Sequence, residues 1–115
     1  MKLDANAPIY CQILDDIRKK AACGELKAGQ KLPSVRALAD LYQINPNTAA
    51  RIYRELETSG LTVTHKGLGT YLCDDPQILT DLKREMVSNC ISRFVTEMKD
   101  FGYDREEILS LIKDI

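Results

Sequence analysis

Apolar positions recur along this chain at helical spacing five times and alternate once. From Pro8 to about Cys23, Tyr10, Ile13, Leu14, Ile17 and Ala21 share one face, and Gly24 supplies the stop. A polar, glycine-bearing connection, GELKAGQKLP, leads to Ser34, a capping hydroxyl ahead of a short helix faced by Val35, Leu38, Ala39 and Tyr42. Gln43 and Ile44 form a tight link to the next helix. There Asn45 is the N-cap and Pro46 the first helical residue, where a missing N–H costs nothing. Ala49, Ile52, Tyr53 and Leu56 then repeat at i, i+3, i+4 and i+7, and Gly60 closes the helix. The opposite side carries Asn47, Ala50, Arg51 and Arg54.

After Gly60 the period changes to two. LTVTHK, then GLG, then TYLC predicts a β-hairpin with a glycine-bearing tip. Beyond it, residues 76–101 carry a wide apolar stripe that includes Leu79, Leu82, Met86, Ile91, Phe94, Val95, Met98 and Phe101. Gly102 interrupts the stripe. Asp104, with Glu107 three residues on, starts a last helix faced by Ile108, Leu111, Ile112 and Ile115. The fold expected is mostly α with a small β-hairpin: a winged helix-turn-helix domain over residues 1–75 and a short two-helix tail over 76–115.

Composition narrows the function classes. The chain has 115 residues, 44% hydrophobic and 29% charged, within the range of a globular domain. No apolar run approaches a membrane span, and MKLDANAPIY lacks the apolar core of an export signal. Cys11, Cys23, Cys73 and Cys90 form no C-x-x-C pair and stand beside a single histidine. They read as reduced, mostly space-filling thiols of a cytoplasmic protein, with no metal site and no cofactor. No paired carboxylates and no Ser/His/Asp or Cys/His arrangement suggest an enzyme, and His65 has no identifiable catalytic partner. The net charge of −1 is unevenly spread. Residues 1–73 hold ten lysines and arginines against seven carboxylates, and residues 74–115 hold six against ten. A mildly basic first part and an acidic second part suggest two roles in one chain.

The helix order gives the polar cluster at residues 45–48 a second use. The second helix of a helix-turn-helix enters the major groove with its N-terminal residues against base edges. Asn47 offers the amide that pairs with adenine, an arginine can bridge guanine, and Thr48 suits a phosphate or base contact. A protein-contact helix would present aromatic or aliphatic anchors at such a tip instead. A winged-helix module for protein contact, without a specific operator, is the alternative function.

The stretch KLPSVRALADLYQINPNTAARIYRELETSGLTVTHKGLGTYL resembles the DNA-binding domain of GntR-family bacterial transcription regulators. The resemblance rests on LPSVRALA at 32–39, the Asn-x-x-Thr helix start at 45–48, the Tyr-x-x-Leu-Glu-x-x-Gly-Leu run at 53–61, and the Gly-x-Gly-Thr wing at 67–70. With Pro-Ile-Tyr-x-Gln-Ile at 8–13 it covers residues 8–73. It implies DNA contacts by Arg36 at the start of the second helix, and by Asn45, Asn47 and Thr48 at the recognition tip. It also implies contacts by Lys66 and Gly67 at the wing tip. Arg51 and Arg54 join this set from their place on the helix face. Many members carry arginine where this chain has Pro46, and the Asn-Pro-Asn-Thr form is similar to the YtrA-like subgroup.

That subgroup carries a short helical dimerisation tail, and surface arithmetic points the same way. Two helices cannot enclose both a core and a ligand cavity of several hundred Å³, so a small-molecule effector site is not expected in the tail. Ile91, Phe94, Val95, Met98, Ile108 and Ile112 are expected to meet the same residues of a second subunit, the alternative being that the tail folds back on the winged domain. The function expected is a homodimeric regulator, a repressor, that binds an inverted repeat in double-stranded DNA without catalysis and without a membrane.

Overall fold

A computed structural model describes residues 8–115; the leading segment, where the absence of an export signal was read, lies outside the described residues. The elements follow as α1 (Ile9–Ala22), α2 (Val35–Tyr42), α3 (Pro46–Thr58), β1 (Thr62–His65), β2 (Gly69–Leu72), α4 (Pro76–Asp100) and α5 (Arg105–Ile112). The expected mostly helical fold with one antiparallel hairpin is therefore the fold present.

The local signals act as their chemistry requires. Ser34 Oγ accepts from the Ala37 N–H at 3.1 Å, and Asn45 Oδ1 accepts from the Asn47 N–H at 2.7 Å. Between the two caps, Gln43 turns the chain with φ 54° and ψ 51°. It is the sole non-glycine residue with positive φ among the described residues. The Ile44 N–H closes that turn on the Ala39 carbonyl at 2.9 Å. A left-handed conformation costs an ordinary L-residue about 1 kcal/mol, so the geometry of this turn is imposed by the packing on either side. At the other end of α3, Gly60 adopts φ 83°, and the Leu61 N–H reaches the Leu56 carbonyl at 3.0 Å.

The chain forms two compact units. The first extends through Lys83. Its core joins Ile13, Leu14 and Ile17 of α1 to Leu38 of α2, Ile52 and Leu56 of α3, and Leu72 of the hairpin. Ile78, Leu79 and Leu82, from the first turns of α4, pack against this core. The boundary between the two compact units falls inside the long helix.

The polar, glycine-bearing connection before α2 contributes to the wing. Lys31 bridges to Tyr71, the Leu32 N–H donates to the Thr70 carbonyl at 2.8 Å, and the Leu72 N–H donates to the Gln30 carbonyl at 2.8 Å. The free edge of β2 is covered in this way.

The second unit, residues 84–115, comprises the rest of α4 and α5. Asp104 and Glu107 form the expected capping box, with bonds of 2.9 and 3.1 Å. No residue of α4 is buried along its 25 residues, and within α5 Ile108 alone is. Leu111, Ile112 and Ile115, on the apolar face of α5, are exposed in the single chain. The cysteines differ from expectation: Cys73 fills space in the core, whereas Cys11, Cys23 and Cys90 are exposed.

Candidate nucleic-acid interface

Each residue expected at the DNA surface is exposed except Thr48, which is half-buried at the first turn of α3. The cap commits Asn45 Oδ1 to the backbone and leaves the Asn45 amide nitrogen as the group able to donate outward. Pro46 removes one N–H from the same turn. Asn47 follows, its own N–H held by the cap, its side chain in solvent. Arg54 lies two turns further along the same face.

Arg51, between them, is held by its own chain. Its guanidinium lies 4.1 Å from the centre of the Tyr10 ring, and Nε stands 3.9 Å from Glu55 Oε1. Glu55 also accepts the Tyr10 hydroxyl, and that bond, ahead of burial, raises the pKa of the phenol. The cluster fixes α1 against α3, a link that helix periodicity could not show because Tyr10 lies 45 positions from Glu55.

A second long-range cluster fixes α2. The Tyr42 hydroxyl donates to Asp16 Oδ2 at 2.7 Å, and Lys20 Nζ stands 3.1 Å from the same oxygen. Burial first, then the Asp16 contact, pushes the Tyr42 phenol up to about 12. Burial alone would raise the Asp16 carboxyl, but the bonds from Tyr42 and Lys20 outweigh it and hold the pKa below the usual value. Tyr53 is buried in the core and donates to the Pro33 carbonyl; burial pushes it up to about 12 as well.

Arg36 stands in the first turn of α2, exposed. Lys66 and Gly67 form the hairpin tip with Leu68, whose N–H donates to the His65 carbonyl at 2.9 Å. Gly67 has φ 79°, the left-handed position that a three-residue hairpin loop needs.

This sequence of elements, with a capped polar helix tip and a glycine-turned wing, matches the family model for bacterial regulatory proteins of the gntR family over residues 8–72. The chain belongs to the GntR family. It is a transcriptional regulator that binds DNA, and its relatives match it well beyond the DNA-binding part. The HTH-type transcriptional regulator YhcF of Bacillus subtilis is 38% identical over 112 residues, covering 97% of this chain and 93% of that one. The HTH-type transcriptional repressor YtrA of the same organism is 34% identical over 112 residues, covering 96% and 86%. A GntR-family regulator from Listeria monocytogenes superposes with a TM-score of 0.90 at 34% identity, over 98% of this chain and 99% of that one. The likeness to YtrA-type GntR proteins therefore includes the tail. No helix among the described residues is long and apolar enough to cross a membrane.

The tail residues expected at a subunit seam fall into two groups. Ile91 and Phe94 are 57% and 41% exposed, Ile112 is exposed, and Val95 and Met98 are partly so. Ile108 is 4% exposed in the single chain, packed within the tail.

Proposed function

We propose that this GntR-family chain is a repressor that works as a homodimer on an inverted-repeat operator. Residues 1–75 read DNA, and the tail of residues 76–115 joins the subunits through surface that lies beyond Lys83. The observation that carries this reading is the contrast between the two units. The first has a closed core and a polar, capped helix tip; the second leaves large apolar side chains in water. Such a surface is stable in solution when a second copy covers it, and a two-fold partner covers the same patch on both chains. The same symmetry sets two recognition helices roughly 34 Å apart, one turn of DNA, or a multiple of it. The repressor named YtrA, similar over nearly the full length, supports the direction of regulation.

Within this reading Asn47 contacts a base edge, with Arg54 and Thr48 beside it. Arg51 acts from its place on Tyr10, and Asn45 acts through its amide nitrogen. Gel-shift titration against the DNA upstream of the chain's own gene tests it. The Asn47→Ala variant is expected to bind that DNA about 1–3 kcal/mol more weakly while keeping its affinity for random sequence. Equal losses on both would remove Asn47 from base reading.

Arg36, Lys66 and Gly67 act on the backbone and the minor groove. Replacing Arg36 or Lys66 by Gln is expected to lower affinity on every sequence and to reduce the salt slope by about one unit. A slope equal to that of the unaltered protein would show that the side chain is merely solvated.

A further inference from the structure

We propose that Lys31, from the connection before α2, is a second wing cation that contacts a backbone phosphate beside the minor groove, and that Gly69 keeps open the lane through which it reaches. The inference rests on the wing being a DNA-contacting element, as proposed above.

Three observations place the ammonium. First, residues 30–32 are not free loop: bonds from Leu72 to Gln30 and from Leu32 to Thr70 fix the backbone on both sides of Lys31, which bridges Tyr71. Leu32 is buried and Lys31 exposed, the alternation of a strand at the sheet surface. Second, the side chain does not extend away from the wing. A Cβ built on Gly69 would lie 3.1 Å from Lys31 Cε and 3.8 Å from Nζ, so the lysine stem crosses the face of the hairpin where Gly69 has no side chain. Gly69 pairs with His65, and the residues that follow β1 are the tip itself, Lys66 and Gly67. Third, no ion pair holds the ammonium among the described residues. The ion pairs among the described residues are Lys20–Asp16 and Arg51–Glu55.

An ammonium laid beside the Gly69–His65 pair, the last before the tip, with Lys66 at the tip itself, presents two cations from one wing. A minor groove is bordered by the phosphates of both strands, which is the charge pattern two such cations match. Gly69 then has two reasons to be glycine. Its φ of 118° lies in the left-handed half of the map, and a methyl group there would press on Lys31 Cε.

The test measures the salt dependence of full-length protein binding to two duplexes, one of random sequence and one from the chain's own upstream region. Lys31→Gln is expected to reduce the slope by about 0.9 on both, since one phosphate contact is lost. Lys31→Arg is expected to keep it. Gly69→Ala, which forces the lysine stem to shift by a few tenths of an ångström, is expected to lower the slope by less than Lys31→Gln does, and the double variant to lose no more than Lys31→Gln alone. Circular dichroism shows whether the Gly69→Ala hairpin survives, and where it does not, the two Lys31 variants decide. If Lys31→Gln leaves the slope unchanged while Lys66→Gln lowers it, the wing reading stands and the role of Lys31 is refuted. If neither variant changes the slope, the wing itself does not touch DNA and both readings fall. A folded Gly69→Ala protein with the original slope would refute the lane.

Discussion

Phe94→Asp is expected to sediment as a monomer and to bind an intact operator roughly 10²–10⁴ times more weakly than the unaltered protein. Phe94 is 41% exposed on a helix none of whose residues is buried in the single chain. In the proposed dimer it becomes a central apolar contact, and a carboxylate there must lose its water without gaining a partner. With the subunits separated, each winged unit meets one half-site alone, and the gain from linked binding, worth about that many-fold, is lost. The first unit should stay folded, because Phe94 lies outside it. A chain cut after Lys83 provides the matching control. A cut at residue 75 would remove Ile78, Leu79 and Leu82 from the core they cover and confuse loss of pairing with loss of stability. The assignment of the tail is wrong if Phe94→Asp remains dimeric, or if the chain ending at Lys83 binds the operator as tightly as the whole protein.

The second large effect concerns the packing of α3. Leu56→Ala is expected to lower the unfolding free energy by about 2–5 kcal/mol, out of a total of about 5–15 for a domain of this kind. Leu56 is 0% exposed and lies among the largest fully buried side chains, so its removal leaves a cavity that rigid neighbours on α1 and the hairpin fill only in part. Its carbonyl also accepts the Leu61 N–H and the Ser59 hydroxyl, which ties the end of α3 to the start of the wing. Urea titration at fixed protomer concentration should show a lower midpoint at unchanged slope. A loss below 1 kcal/mol would mean that the site collapses around the smaller side chain.

By itself, the sequence determined the elements and their order, since those depend on neighbours a few positions apart. Ser34, Asn45 and the Asp104–Glu107 pair cap the helices they precede, Gly60 and Gly67 take the left-handed turns, and the i, i+3, i+4, i+7 stripe of α3 is the stripe that is buried. The family was legible for the same reason, because its motifs are runs of local spacing. Tertiary structure alone decided what such a stripe meets. The continuous apolar pattern after Pro76 divides into Leu79 and Leu82, which cover the first core, and Ile91 and Phe94, which are exposed in the single chain; periodicity names a face but not its neighbour. Ile108 was indistinguishable from Ile112 on a helical wheel, yet one is buried and the other exposed. Gln43 adopts a turn that its residue type disfavours, because the packing of α2 and α3 fixes the path between them. Lys31 lies in a polar connection whose backbone bonds to β2, some forty positions away, bring its side chain against the wing. Contacts of that separation carry no local signature, since they arise only when the chain closes its core and brings distant segments side by side.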